Sequence, residues 1–131
     1  MQDAQTANDA HPVKRVLVAD DNRMSAQTLT WAMELQGYNV KTCYDGASAV
    51  AAADDFHPDV VLLDIGMPVM DGIEAARRIR ANTSLGHPTL IAQTGWGDAQ
   101  TRQRTADAGF DVHMTKPVDL EKLWALLETI N

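Results

Sequence analysis

The sequence predicts a doubly wound α/β domain, and three observations carry that expectation. Short β-rich runs recur along the chain, and stretches with helical spacing lie between them. Two of the runs, V-L-V-A at 16–19 and V-V-L-L at 60–63, are apolar throughout rather than alternating. A strand reads that way when helices cover both faces of a parallel sheet. The chain has 131 residues, which is one domain's worth and enough to bury a core.

The elements follow in order. Residues 1–13 are polar and aperiodic, close with Pro12, and read as a flexible tail or linker remnant. The folded domain is expected over 14–131. Strands are predicted at Arg15–Ala19, Asn39–Cys43, Asp59–Leu63, Thr89–Gln93 and Val112–Thr115. Helices are predicted at Arg23–Gln36, Ala47–Asp54, Ile73–Asn82, Ala99–Ala108 and Leu120–Ile130. Gly37 stands as a stop signal after the first helix. Asp45, Asp71 and Asp119 are N-cap candidates for the second, third and fifth. In the last helix Leu120, Leu123, Trp124, Leu127 and Ile130 fall on one face. Five such βα units fit a flavodoxin-like domain with a five-stranded parallel sheet in the order 2-1-3-4-5.

Composition narrows the function classes. Eleven Lys and Arg against eighteen Asp and Glu leave a formal charge of −7, so no basic stripe is available for nucleic acid. Neither a stretch long enough to span a membrane nor a secretory h-region is visible, so a cytoplasmic location is expected. The single cysteine, Cys43, excludes an internal disulfide and reads as a buried strand thiol.

In a doubly wound sheet the ligand site lies beyond the carboxyl ends of the strands. Here those ends carry Asp20 and Asp21, then Asp64, Thr94 and Lys116. Three acids gathered on one edge repel one another and favour a hard divalent cation, Mg²⁺ above all. With an ammonium and a hydroxyl beside them, the set suits phosphoryl chemistry with a carboxylate nucleophile. The loop A-D-D-N-R-M-S after the first strand is wrong for a nucleotide phosphate, because bare carboxylates repel it. A phosphatase of the D-x-D type needs an acid where Gly66 stands.

The motifs A-D-D-N, L-L-D-I-G-M-P-V-M-D-G, Q-T-G and T-K-P, in that order, resemble the response-regulator receiver domain of two-component signalling. The resemblance covers about residues 14 to 130. It implies that Asp64 is the phosphoacceptor, taking its phosphoryl group from a histidine kinase or histidine phosphotransferase. It implies Mg²⁺ (or Mn²⁺) held by Asp21, Asp64 and the backbone carbonyl of Gly66, with Asp20 acting through a water. Lys116 and Thr94 would contact the phosphoryl group, and the bond before Pro117 would be cis. The switched surface would be the fourth helix, fifth strand and fifth helix, presented to a downstream protein target. Such a domain is a switch rather than an enzyme. The alternative within the same fold is a docking module that works without phosphorylation.

Some positions depart from the family pattern or stand apart from it. His113 occupies a position where Tyr or Phe is common, and would be the residue that swings as Thr94 moves; histidine there resembles receivers of hybrid sensor kinases. The resemblance extends to stand-alone single-domain regulators, so the chain would act alone or, as its linker-like start allows, as a fragment of such a kinase. Trp96 and Gly66 would flank the phosphoryl group with opposing effects on its lifetime. Trp31 and Trp124 are expected in or beside the core, and Arg77, Arg78 and Arg80 on a solvated face. Met67 and Met70 flank Pro68, where they would pack against a partner helix or fill gaps.

Overall fold

The computed structural model describes residues 14–67, 70–95 and 97–130. The expected tail at 1–13, together with Pro68 and Trp96, lies outside the described residues. The chain runs β1 (Arg15–Ala19), α1 (Arg23–Leu35), β2 (Asn39–Cys43), α2 (Gly46–Phe56), β3 (Val60–Asp64) and α3 (Gly72–Ala81). A short 3₁₀ turn at Thr83–Leu85 leads into β4 (Thr89–Thr94), α4 (Ala99–Ala108), β5 (Val112–Thr115) and α5 (Leu120–Glu128).

All five strands are parallel, in the order β2-β1-β3-β4-β5. Burial follows position in the sheet. The central strand β3 is buried at every residue, and its neighbours β1 and β4 at all but the first. The edge strands β2 and β5 are only partly buried, which is why their sequences carry polar residues. Alternate residues feed two separate cores. Leu17, Val61, Leu63, Leu90 and Ala92 pack with α2, α3 and α4. Val16, Val18, Leu62 and Ile91 face the other way, onto Leu29 and Met33 of α1 and Leu123 and Leu127 of α5.

Each helix begins on an Asx cap at the carboxyl edge of the sheet. Asn22, Asp45, Asp71, Asp98 and Asp119 each accept from a backbone N–H two or three residues on. Part of the acidic balance is therefore capping chemistry. Gly37 takes the residue after the α1 cap at φ +97°, where a side chain is strained.

Element boundaries differ from expectation by one or two residues, and one difference matters. β3 and β4 extend to Asp64 and Thr94, because Asp64 pairs with Gln93 and the Ile65 N–H bonds to the Gln93 carbonyl. Both residues are thus held by the sheet ladder rather than hanging from loops.

Two expectations need correction. Trp31 is 64% exposed. α1 carries two apolar stripes, and the sheet takes Ala26, Leu29 and Met33, which leaves Trp31 on the opposite face. Trp124 is half-buried against Tyr38, ring centroids 6.4 Å apart. Arg80 is not part of a solvated face. Its guanidinium donates to the carbonyls of Gly109 and Pro88 and to the Asp111 carboxylate at 2.6 to 2.9 Å. Arg77 and Arg78 do face solvent, beside Glu74.

Close packing of backbone against backbone sets two glycines. A Cβ on Gly72 would fall 2.5 Å from the Asp64 carbonyl oxygen, and one on Gly46 would overlap the Met70 carbonyl. Gly72→Ala is expected to destabilise the fold by roughly 1–3 kcal/mol through overpacking, read as a lower urea midpoint at unchanged slope. Arg80→Ala is expected to destabilise it by about 1.5–3 kcal/mol, since its hydrogen bonds are charge-assisted. Arg77→Ala should stay within about 0.5 kcal/mol of the parent protein.

Candidate functional site

The parallel register brings the ends of β1, β3, β4 and β5 to one edge. Asp20 follows β1, with its N–H bonded to the Cys43 carbonyl at 3.1 Å. It is buried, and its Oδ1 accepts from the Asn22 N–H at 3.0 Å. The α1 cap is Asn22, whose Oδ1 accepts from Ser25 N–H at 3.0 Å. Asp20 is thereby free of helix capping and turned into the site. Asp21, beside it, is exposed.

Asp64 is also buried. Its Oδ1 accepts from the Gly66 N–H at 3.0 Å and its Oδ2 from Lys116 Nζ at 2.9 Å. The same ammonium donates to Asp20 Oδ2 at 3.2 Å, so one cation bridges two buried carboxylates. Lys116 is steered by its own backbone. Its N–H bonds to the Thr94 carbonyl at 2.7 Å, and the Lys116–Pro117 bond is cis. Thr94 ends β4 fully buried within the same edge.

One carboxylate oxygen from each of Asp20, Asp21 and Asp64 lies within 4.8 Å of the others. Hard oxygens at that separation, two buried and one open to solvent, could hold a Mg²⁺-class cation. Their mutual repulsion is a reason to bind one. Gly66 is exposed, and a Cβ there would sit 3.7 Å from Asp64 Oδ1, in ordinary contact. Its glycine identity is therefore not forced by packing against Asp64.

His113 stands further down β5, partly buried, paired with Ala92 across the sheet. Its Nδ1 is 3.4 Å from Thr105 Oγ1 on α4. That contact ties β5 to α4 and involves a residue, Thr105, that nothing in the sequence singles out. Cys43 is buried beneath the site, and burial pushes its thiol pKa up. Met67 is buried and Met70 partly so, both against the α2–α3 core, as gap fillers.

The two buried acids differ in electrostatics. Burial raises the Asp20 pKa, and Asp64 beside it adds to the rise; its hydrogen bond from Asn22 and the Lys116 charge offset this only in part. Burial also works against ionised Asp64, but the Gly66 N–H and Lys116 overcome it and hold the carboxyl below its usual range. Lys116 loses hydration on burial, yet the two carboxylates raise its pKa. The two neighbouring carboxyls are thus pushed in opposite directions, Asp20 up and Asp64 down.

A raised carboxyl pKa means the folded state binds that proton more tightly than the unfolded chain. The contribution is favourable at low pH and lost as pH rises through the folded value. In metal-free buffer Asp20→Asn is therefore expected to gain stability relative to the parent between pH 4 and pH 7. A thermal midpoint difference that shrinks over that range would contradict the assignment.

Comparison with known proteins agrees with this geometry. Residues 16–128 match the family described as the response regulator receiver domain. The probable transcriptional regulatory protein TcrX of Mycobacterium tuberculosis is 36% identical over 115 residues, covering 88% of this chain and 48% of its own length. The transcriptional regulatory protein TrcR of the same organism is 37% identical over 119 residues, covering 91% and 45%. The chain thus spans about half the length of these curated relatives. Among solved structures, the Vibrio cholerae chemotaxis protein CheY4 superposes with a TM-score of 0.85 at 27% identity, covering 92% of this chain and all of that one. The receiver domain of the sensor histidine kinase PA1611 from Pseudomonas aeruginosa, solved with a magnesium ion in its active-site cleft, has a TM-score of 0.83 at 28% identity, covering 91% and 98%. With the fold, the strand-end carboxylates and the family match in agreement, this chain belongs to the response-regulator receiver domains of two-component signalling.

Proposed function

We propose that Asp64 accepts a phosphoryl group from a phosphohistidine on a histidine kinase or histidine phosphotransferase. The observation that carries this reading is the single ammonium of Lys116, 2.9 Å from Asp64 and 3.2 Å from Asp20, at the rim of a three-carboxylate cluster. An Asp64 oxygen attacks phosphorus, the phosphorus–nitrogen bond to the donor imidazole breaks, and an acyl phosphate forms on the carboxylate. Asp64 suits the role because it stays ionised. As its charge passes to the phosphoryl oxygens, Lys116 follows and pairs with one of them.

Asp21, Asp64 and the Gly66 backbone carbonyl would hold Mg²⁺ or Mn²⁺, with Asp20 acting through a water. The ion, when bound, neutralises the acidic cluster and the incoming phosphoryl oxygens. Thr94 would then turn its hydroxyl toward the phosphoryl group. His113 on the neighbouring strand β5, which meets Thr105 of α4, would move with it. Phosphorylation thereby biases the α4–β5–α5 surface between two arrangements, and a downstream protein target would read it. On this reading the domain is a switch whose chemistry serves only its own loading and unloading. The receiver unit begins at residue 14, and it works in the cytoplasm. No helix among the described residues is long and apolar enough to cross a membrane. A docking module independent of phosphorylation would have no use for the acid, hydroxyl and ammonium groups that are all present.

Incubation with acetyl phosphate and Mg²⁺ is expected to add one phosphoryl group, visible by intact mass, and Asp64→Ala should carry none. An adduct that survives this substitution would refute the assignment. Calorimetric titration should find Mg²⁺ binding weakened roughly 10- to 100-fold by Asp20→Ala, as for a residue acting through water, and more by Asp21→Ala. Equal losses would contradict the separate roles. A His113 ring resonance unmoved by phosphorylation would exclude it from the switch.

A further inference from the structure

Two contacts of backbone on backbone stand in series between α2 and the end of β3. Gly72, the first residue of α3, donates its N–H to the Ile65 carbonyl at 3.2 Å. A Cβ on Gly72 would lie 2.5 Å from the Asp64 carbonyl oxygen and 2.7 Å from Ile65 Cα. Two residues earlier, Met70 meets Gly46, the first residue of α2. A Cβ on Gly46 would overlap the Met70 carbonyl oxygen and lie 2.7 Å from its carbonyl carbon. The glycines at positive φ are Gly37, Gly86 and Gly109. Gly46 is therefore glycine for want of space and not for its backbone angles. The segment Met70–Gly72 touches α2 through Met70 and the phosphoacceptor through Gly72.

α2 is not free to back away from this contact. Its start is fixed by Asp45, whose carboxylate accepts from the Ser48 N–H at 2.7 Å and the Ser48 hydroxyl at 3.1 Å. Ala49 and Ala53 are fully buried along its inner face. Near its far end Asn82 Nδ2 donates to Asp54 Oδ1 at 3.0 Å. Ile65, Met67 and Met70 pack into the same core as those alanines, so the residues on both sides of Gly66 rest on it. A close-packed interior of this kind transmits strain instead of absorbing it.

We propose that Gly46 is a positioning residue for Asp64, acting through Met70–Gly72. The inference rests on the reading of Asp64 as phosphoacceptor and metal ligand. α2 supplies no group to the site, and its contribution is a distance. With no side chain at 46, Met70–Gly72 settles close to α2 and leaves the Asp64–Ile65 backbone where β3 delivers it. A methyl group at 46 drives the Met70 carbonyl away, and Gly72 passes the shift to the Asp64 carbonyl. The bonds from Gly66 N–H and Lys116 to the Asp64 carboxylate then lose alignment.

Gly46→Ala tests this beside Gly37→Ala. A Cβ on Gly37 meets nothing within 4 Å and is strained only by a φ of +97°, so this control loses stability without touching Met70–Gly72. In metal-free buffer the Gly66 amide resonance is expected to move in Gly46→Ala and to stay in Gly37→Ala. Mg²⁺ affinity by calorimetry and the rate of acetyl phosphate loading are measured where each variant is fully folded. Both should fall roughly 10- to 100-fold in Gly46→Ala, as for other residues that orient a ligand from behind, and keep the parent value in Gly37→Ala. Should Gly46→Ala fail to fold, the unaltered chain carries the test. Its Gly46 amide resonance is expected to follow the same Mg²⁺ binding curve as that of Gly66, because coupling between two positions is reciprocal. A Gly66 resonance unmoved by Gly46→Ala, an affinity no lower than in Gly37→Ala, or a Gly46 resonance indifferent to bound Mg²⁺ would overturn the proposal. A parent chain that neither binds Mg²⁺ nor takes up a phosphoryl group would instead refute the reading of Asp64, and the metal-free Gly66 shift would still decide the role of Gly46.

Discussion

One ammonium group makes the carboxyl edge of this sheet possible. Asp20 and Asp64 are both buried and both approach Lys116 Nζ within hydrogen-bond distance. Two carboxylates in that position repel each other strongly at the reduced dielectric of a protein interior. The shared cation turns a repulsive pair into a triad. Removing the ammonium from such a set leaves two buried carboxylates uncompensated, typically a loss of about 3–5 kcal/mol. The same arrangement keeps the cluster poised for a change of charge. A divalent ion or a phosphoryl group exchanges one set of charge partners for another on a backbone that is already in place.

The rest of the fold serves to hold that triad in register. Lys116 arrives 52 residues after Asp64 and 96 after Asp20. Only the parallel pairing of β1, β3, β4 and β5 brings the three within reach. The close contact of Gly72 with the Asp64 carbonyl and the Arg80 bonds to Gly109, Pro88 and Asp111 brace the same scaffold from the α3 side. The Asx caps at the starts of the helices add local order at the same edge. Stability and function are thus not separable here, because the groups that terminate strands and start helices also frame the site.

The chemistry of the candidate site was legible because it is built from strand ends. An apolar run that stops at an acid, a threonine or a lysine can be read without knowing the fold, and so can the Asp caps at 45, 71 and 119. Trp31 was misread because α1 offers two apolar stripes, and periodicity alone does not say which one the sheet covers. Arg80 was misread because its partners lie 8 to 31 residues away, so spacing within the helix says nothing of them. Thr105 is not legible in the sequence, because a lone polar residue in a helix carries no local mark of its burial.

What the sequence by itself determined was the kind of residue at each turn of the chain: strand-end acids, caps, apolar faces and a terminal lysine. These are local properties, written in side-chain chemistry and in periods of two and 3.6. The tertiary structure alone decided which acid caps and which faces the site, and which of the two α1 stripes is core. It alone decided that Asp64 rather than Asp20 keeps the lower pKa. Those outcomes depend on distances between residues far apart in the chain, and the sheet register sets those distances.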